Sequence, residues 1–155
     1  MAINSKWSTE EAVESAWSYA LSQNTMISTL GVDTISLGQL QTGEIAFPFV
    51  MVSAVNIVPA TRNFHDKIEI ATTEIIVKVS KRKDLTKQTF YDLCGAVRAV
   101  LLADDLKTWL NSDLANHEIY NELYQPEAIS SIDSTDALYH GRTFDVAISI
   151  GPVIT

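Results

Sequence analysis

The three histidines and the single cysteine are the residues with the most specific chemistry, because these types ligate metals and act as bases or nucleophiles. His65, His117 and His140 lie far apart, in predicted loops or at loop edges. None has the i, i+4 spacing of a helical zinc pair, and no cysteine accompanies them. Cys94 falls on the apolar stripe of a predicted helix, which favours a buried small hydrophobe over a nucleophile. We therefore expect no metal site, and we interpret the histidines as exposed polar residues.

The acidic residues have structural explanations of their own. The pairs Glu10-Glu11 and Asp104-Asp105 begin predicted helices, where carboxylates interact favourably with the helix dipole. Glu127, Asp133 and Asp136 lie in a polar stretch that contains no recognisable partner base. A Gly-rich phosphate loop, a GxSxG elbow and a dinucleotide fingerprint are all absent from the sequence. We expect no catalytic residues and no cofactor, and hence not an enzyme.

One charged feature stands out, because five of the 11 basic residues fall within ten positions. They are Lys78, Lys81, Arg82, Lys83 and Lys87. No aromatic residues are interleaved with them, so the cluster does not resemble a platform for single-stranded nucleic acid. Two interpretations stay open: a solvated turn between a strand and a helix, or a docking point for an acidic surface, such as that of a neighbouring copy.

The net charge of −8 is unevenly distributed along the chain. Residues 1–66 carry 2 basic and 6 acidic groups, residues 67–98 carry 7 and 4, and residues 99–155 carry 2 and 9. A face that grips nucleic acid must neutralise phosphates with Lys and Arg, so the overall acidity argues against sequence-specific nucleic-acid binding. The acidic, basic and acidic blocks could orient partners, or they could be ordinary solvated surface.

Length and composition predict one domain over residues 1–155, large enough to bury roughly two-thirds of its unfolded surface. With 46% hydrophobic and 19% charged residues, the chain is not expected to be disordered. The longest apolar run, Ile45–Val55, is far shorter than the roughly 20 residues of a membrane span. The N-terminus lacks the basic start and apolar core of a signal peptide. One cysteine excludes an intrachain disulfide, and we expect a soluble intracellular product with no membrane contact.

Two long helices are predicted from apolar residues at helical spacing. An N-terminal helix covers Thr9–Gln23, and one long central helix covers Thr86–Leu102. Gly95, inside the central helix, could let another backbone approach closely. Asp104-Asp105 begins a further short helical turn. Between the helices, residues 24–47 form a long, partly extended connecting segment, of a length that often indicates binding.

Alternating and continuous apolar runs predict the main strands. They are Phe49–Val58, which Pro59 ends, then Ile68–Val79, and a closing strand from Phe144 to Ile150. The apolar parity switches within the second strand. A bulge near Ala71–Thr73 would explain the switch, or the two halves of the strand could pair with different neighbours.

The remaining segments predict shorter extended pieces. Ile119–Tyr124 and Ala128–Ile132 are strand candidates, and Ser134–Gly141 is a predicted polar loop. The expected fold is therefore α+β: an antiparallel-rich sheet of about four strands with helices packed on one face.

This order of elements resembles that of the tail terminator (tail-completion) proteins of long-tailed bacteriophages. The matching elements are the N-terminal helix, the proline-led strand Phe47–Val52, the strand Ile68–Val79, the helix Thr86–Leu102 and the closing strand Arg142–Ile148. The resemblance covers most of the chain, and it lies in element order and hydrophobic positions. The connecting segment matches least well.

The resemblance implies helices packed on an antiparallel-rich sheet and assembly into a homo-oligomeric ring, hexameric in the family. Such a ring caps the head-proximal end of the tail tube, ends tube polymerisation and offers a surface for head–tail joining. The implied partners are further copies of the chain, the tail tube protein and the head-side connector protein. DNA would pass through the lumen. The protein would be made in the host cytoplasm and reside in the virion, at the head-proximal end of the tail.

Contacts are expected at two loops and at the basic turn between them. The candidate interface residues are Arg62, Phe64 and His65 in the first loop, Lys81, Arg82 and Lys83 in the turn, and Tyr139 and His140 in the second loop.

Two alternatives remain open. The chain could be a head-completion or connector component, or another minor tail protein, since these share ring geometry and strand–helix patterns. It could also be a small α+β enzyme or ligand-binding domain, which predicts a concave apolar pocket and perturbed titratable groups.

Overall fold

The computed structural model describes residues 9–32, 34–38, 48–59, 69–81, 87–114, 117–119, 130–133, 135 and 138–152. Within these residues the chain forms helices and one mixed sheet, which confirms the α+β class.

The two long helices form where the apolar spacing predicts them. Helix α1 spans Thr9–Ser22 and helix α3 spans Lys87–Leu101, each within one residue of the predicted bounds at either end. The apolar stripe of α3 is buried, as predicted, and includes Cys94. Helix α4, Leu106–Asp113, follows the acidic pair 104–105 as expected.

The connecting segment contains a short helix that the sequence pattern did not predict. Helix α2 spans Thr25–Thr29, and the side chain of its N-cap residue, Asn24, accepts a hydrogen bond from the Met26 amide at 2.9 Å. The Asn24 side-chain amide also donates to the Ala96 carbonyl at 3.2 Å, which ties α2 to α3. Strand β1, Ser36–Leu37, is the extended part of the segment among the residues described.

The strands build one sheet in the order β1-β2-β3-β6-β4, and β5 pairs with β6 beside β4. After β1, they are β2 Phe49–Pro59, β3 Glu69–Ser80, β4 His117–Ile119, β5 Ser130–Asp133 and β6 Tyr139–Pro152. The β1–β2 pair is parallel and the other pairs are antiparallel. The prediction of about four strands was too low, because β1, with two residues, is too short to give a periodic pattern. β4 overlaps the predicted strand Ile119–Tyr124 only at Ile119, and the rest of that prediction lies outside the described residues.

The long strands have two different faces, because successive side chains point to opposite sides of a sheet. In β6 the even residues from Phe144 to Ile150 are buried, and in β3 the odd residues from Ala71 to Val79 are buried. These residues belong to the same core as the buried stripes of the helices. We call this the helix face. The opposite side of the sheet, which carries the even residues of β3 and the odd residues of β6, is the outer face.

Helix α1 anchors the helical layer on this core. Trp17 and Leu21 are completely buried in this core. Burying such large side chains stabilises the fold by roughly 1.5 to 3 kcal/mol each. The hydroxyl of Ser15 donates to the Asp113 carboxylate, which joins α1 to α4.

The bulge expected in β3 lies in its neighbour β2 instead. β3 pairs with β6 continuously from Glu69 to Ser80, whereas the β2–β3 register shifts between Ala54 and Asn56. Both proposed explanations of the parity switch were therefore wrong. The switch arises because Ile70 is on the outer face, where it remains 36% exposed.

A buried carboxylate holds this bulge in place. The Ala54 amide donates to a carboxylate oxygen of Glu14 at 2.9 Å, and Glu14 on α1 is completely buried. Unpaired backbone amides at a bulge need an acceptor when water is excluded. Glu14 supplies one, so it fixes α1 over the bulge.

Gly95 does not have the role that the sequence suggested. It is exposed on α3, and a methyl group built at its Cα would meet no atom within 4 Å. No other described backbone approaches it closely. Gly38 behaves in the opposite way, because a Cβ there would lie 2.7 Å from the Cβ of Ser53.

Candidate functional site

The start of α3 and the start of β6 come together in an aromatic stack. The rings of Phe90 and His140 lie 5.5 Å apart between centroids and are nearly parallel, at 26°. The Arg142 guanidinium lies 5.6 Å from the Phe90 ring centroid. The helical stripe directs Phe90 to the sheet, and His140 and Arg142 share the helix-face parity of β6. A cation near an aromatic face is attracted by the ring quadrupole.

Two further cation–aromatic contacts continue along α3. The Arg98 guanidinium lies 5.9 Å from the Phe144 ring, and the Lys87 ammonium lies 5.5 Å from the Tyr91 ring. Lys87, Tyr91 and Arg98 are all exposed on α3, so these groups are accessible to a partner.

A fourth contact lies on the outer face at the same end of the sheet. The Lys78 ammonium is 5.9 Å from the Tyr139 ring. Lys78 pairs with Gly141, which has no side chain, so the diagonal neighbour Tyr139 can lie beside the lysine. We call the nine residues of these contacts the cation–aromatic cluster: Lys78, Lys87, Phe90, Tyr91, Arg98, Tyr139, His140, Arg142 and Phe144.

Cys94 lies near the cluster but is not equipped for nucleophilic chemistry. It is 4% exposed, and burial raises the pKa of its thiol from 9.0 to about 11. Arg142 and Arg98 lower that pKa, but their effect is smaller than that of burial. The thiol is therefore protonated at neutral pH, whereas the thiolate is the nucleophilic form.

Asp133 brings one carboxylate to the border of the cluster. It pairs with Arg142 across the β5–β6 ladder. Hydrogen bonds from Thr135 lower the pKa of Asp133, and the nearby charges of Arg142 and His140 lower it further. Asp133 therefore stays ionised at neutral pH and offsets part of the positive charge.

The structure places three of the predicted interface residues together at one end of the sheet. Lys81 follows β3, and its amide donates to the Leu138 carbonyl at 2.9 Å. Tyr139 and His140 belong to the cluster. The other five, Arg62, Phe64, His65, Arg82 and Lys83, lie outside the described residues.

Two expectations about these residues were wrong. Tyr139 and His140 are not in a loop, because they pair with Ser80 and Val79 and so extend β6. His140 is half-buried and stacked rather than exposed. The absence of interleaved aromatics was also misleading, since Tyr91 and Tyr139 approach Lys87 and Lys78 from elsewhere in the sequence.

Sequence reasoning missed Phe90, Arg98 and Arg142 as members of a site. Arg142 and His140 continue the even parity of β6 backward from Phe144, and that pattern could have indicated their position. Phe90 belongs to the buried apolar stripe of α3, and that stripe alone gives no sign of a site.

The far end of the sheet carries the opposite charge. β3 runs from Glu69, opposite Ile150, to the cluster end at Lys78, opposite Gly141. At about 3.3 Å per residue the two ends are roughly 30 Å apart. Glu69 accepts a hydrogen bond from the Thr9 hydroxyl at 3.2 Å, which places the acidic first turn of α1 at this end.

An open cleft of about 340 Å³ lies between α1, α2 and the start of β1. Hydroxyl and amide groups supply much of its lining, at Ser18, Ser22, Asn24, Ser28 and Thr34. None of the described residues that line it is titratable.

The described residues contain no group of three or more His, Cys, Asp or Glu side chains that could hold a metal ion. None of the described helices is long and apolar enough to cross a membrane. Comparison of the chain with protein-family models gives no match, and comparison with curated proteins gives none either.

Proposed function

We propose that the chain is a structural protein of a long-tailed bacteriophage. In this proposal it forms a ring at the head-proximal end of the tail tube, ends tube polymerisation and provides a surface for head–tail joining. The order of elements, which resembles that of tail terminator proteins, motivates the proposal. The observation that carries it is the separation of charge along β3, from the cation–aromatic cluster at Lys78 to the carboxylates farther along the strand, Glu74 and Glu69.

Charge separation of this kind favours head-to-tail association. When two different surfaces of one chain are complementary, each copy binds the next, and a suitable rotation closes the series into a ring. Electrostatic complementarity fixes the register of such contacts and suppresses incorrect ones. Arg98 and Arg142 suit this role, because guanidinium groups bind carboxylates in a planar, bidentate manner.

The experiment is to measure the mass of the purified chain by light scattering, alone and with the tail tube protein of the same phage. Electron microscopy of the same samples would show their shape. We expect closed rings that bind the tip of a tube and stop its growth. A chain that stays monomeric in both samples and leaves tube growth unchanged would overturn the proposal.

The purified chain can also be used to distinguish a tail terminator from a head-completion or connector protein. The terminator binds the tube protein directly, whereas a connector component binds the portal side and leaves tube length unchanged. A pull-down against each purified partner distinguishes them.

A further inference from the structure

We propose that the outer face of the sheet around Glu74 and Asp145 receives the exposed α3 side of the cation–aromatic cluster, Lys87, Tyr91 and Arg98, of a second copy. This inference rests on the self-association proposed above, and it names the acidic surface that takes part. It makes the contact heterologous, with a different surface contributed by each copy.

The outer face offers apolar area to such a partner. Met51, Ile76, Thr143 and Ile132 form one row across four strands, because each is the register partner of the next. Ile132 is 62% exposed, and Met51 and Ile76 are half-buried. A contact that covers this row removes apolar surface from water, which favours association by about 25 cal/mol per Å² buried.

The neighbouring row carries the negative charge. Glu74 and Asp145 are direct register partners and both are half-buried. Their row continues to Ser53 on β2 and to Ser130 on β5. This row contains no Lys or Arg among the described residues, and the same holds for the neighbouring outer-face rows through Ile76 and Thr72 of β3. Like charges directly opposite each other destabilise a sheet. A cation from a second copy would therefore reduce the repulsion between the Glu74 and Asp145 carboxylates.

Other carboxylates of the described residues already have a role within the chain. Glu10 and Glu11 lie in the first turn of α1, where they complement the helix dipole. Glu69 accepts a hydrogen bond from Thr9, and Glu14 binds the Ala54 amide. The pair Glu74–Asp145 has no such explanation, and it lies beside the apolar row, so we assign the acceptor surface to this part of the outer face.

The cation–aromatic cluster has the matching chemistry. Lys87 and Arg98 are exposed, and Tyr91 beside them is 47% exposed. Guanidinium groups on aromatic faces are weakly hydrated, so bringing them against carboxylates costs less desolvation than bringing lysines. Tyr91 would cover the apolar row while the cations meet the two carboxylates.

Two charge-reversed chains test the contact in trans. The first carries Glu74→Lys and Asp145→Lys on the outer face, and the second carries Lys87→Glu and Arg98→Glu on α3. Each alone should lose the self-association of the wild type. Mixed in equal amounts they should associate again, beginning with a heterodimer of twice the chain mass, because the wild-type α3 surface of the first chain meets the wild-type outer face of the second. Sedimentation velocity over a concentration series measures the mass of each variant chain and of their mixture, with and without tube protein.

Controls keep the result interpretable. Asp104→Lys with Asp105→Lys makes the same change of charge at the exposed acidic pair before α4 and should leave association intact. Glu74→Gln with Asp145→Asn should weaken association at least tenfold without the risk of a reversed charge, and circular dichroism checks the fold of every variant.

Three outcomes would overturn the inference. If the first chain associates like the wild type while rings still form, the outer face is not the acceptor, and the proposed ring function stands. If the mixture forms no heterodimer, the two surfaces do not bind each other. If a fluorescent single-stranded oligonucleotide binds the wild type and not the second chain, the cluster is a nucleic-acid site instead.

Discussion

Glu74 and Asp145 lie directly opposite each other across the β3–β6 ladder, with their carboxylates on the same, outer face of the sheet. Residues in direct register have Cβ atoms about 4.5 to 5.5 Å apart, close enough for the charges to repel. The same ladder places Ile75 opposite Phe144 on the helix face, where the pair is completely buried. One pair of strands therefore combines a completely buried apolar pair with a half-buried pair of like charges.

The first prediction concerns this acidic pair. Replacing Glu74 with Gln should raise the free energy of unfolding of the dilute chain by roughly 0.2 to 1 kcal/mol, because the repulsion is removed. Urea denaturation measures the change. Asp145→Asn should give a similar gain, and the double variant should gain less than the two single variants together. Additive gains would show that the two carboxylates do not interact.

A second prediction concerns Gly95. Gly95→Ala should raise the free energy of unfolding by about 1 kcal/mol, because alanine lowers the entropy of the unfolded chain and the position is open. Gly38→Ala is the matched control. There the added Cβ would lie 2.7 Å from the Cβ of Ser53, so the fold must shift and stability should fall. Thermal unfolding of both variants measures the difference. A loss of stability in Gly95→Ala would mean that another surface packs against Gly95 and leaves no room for a side chain.

The buried carboxylate of Glu14 supports a third prediction. Glu14→Ala should lower the free energy of unfolding by about 2 to 4 kcal/mol, because the Ala54 amide loses its acceptor and a cavity forms. Glu14→Gln keeps a carbonyl oxygen and should lose less. Hydrogen exchange of the Ala54 amide, measured by NMR, reports the bond directly. If that amide stays equally protected in Glu14→Ala, Glu14 does not hold the bulge.

Cys94 gives a prediction about pH. The folded state raises the pKa of the thiol to about 11 from an ordinary 9.0, so the unfolded chain ionises first. Stability from this group is complete below pH 9, and it is lost as the pH rises from 9 toward 11. The loss should reach about 2 kcal/mol. Urea denaturation against pH should show a steeper decline for the wild type than for Cys94→Ala. Parallel curves would contradict the raised pKa.

Much of the secondary structure follows from local periodicity. The bounds of α1 and α3 were predicted to within one residue because each buries one continuous stripe. The β2 and β3 bounds followed from apolar runs of strand length in the same way. Helix α2 has five residues and a single buried one, Ile27, so it offers no period to recognise.

The contacts that define the candidate site depend on long-range register, which a single sequence does not display. Tyr139 and His140 are part of β6 because Ser80 and Val79 lie beside them, and their own sequence has the character of a turn. Phe90 and Arg142 are 52 positions apart in the chain and meet only after α3 has packed on the sheet. The bulge could not be located because the strand that slips, β2, is apolar on both parities at its start.

The mass of the assembled protein tests the central claim most directly. One chain has a mass of 17.1 kDa. Light scattering of the wild type with its tube protein should give a closed ring, with six copies if the resemblance to tail terminators holds. The same sample of the chain that carries Lys87→Glu and Arg98→Glu should contain no ring. A wild-type protein that remains at 17.1 kDa at every concentration, with and without tube protein, would contradict the account.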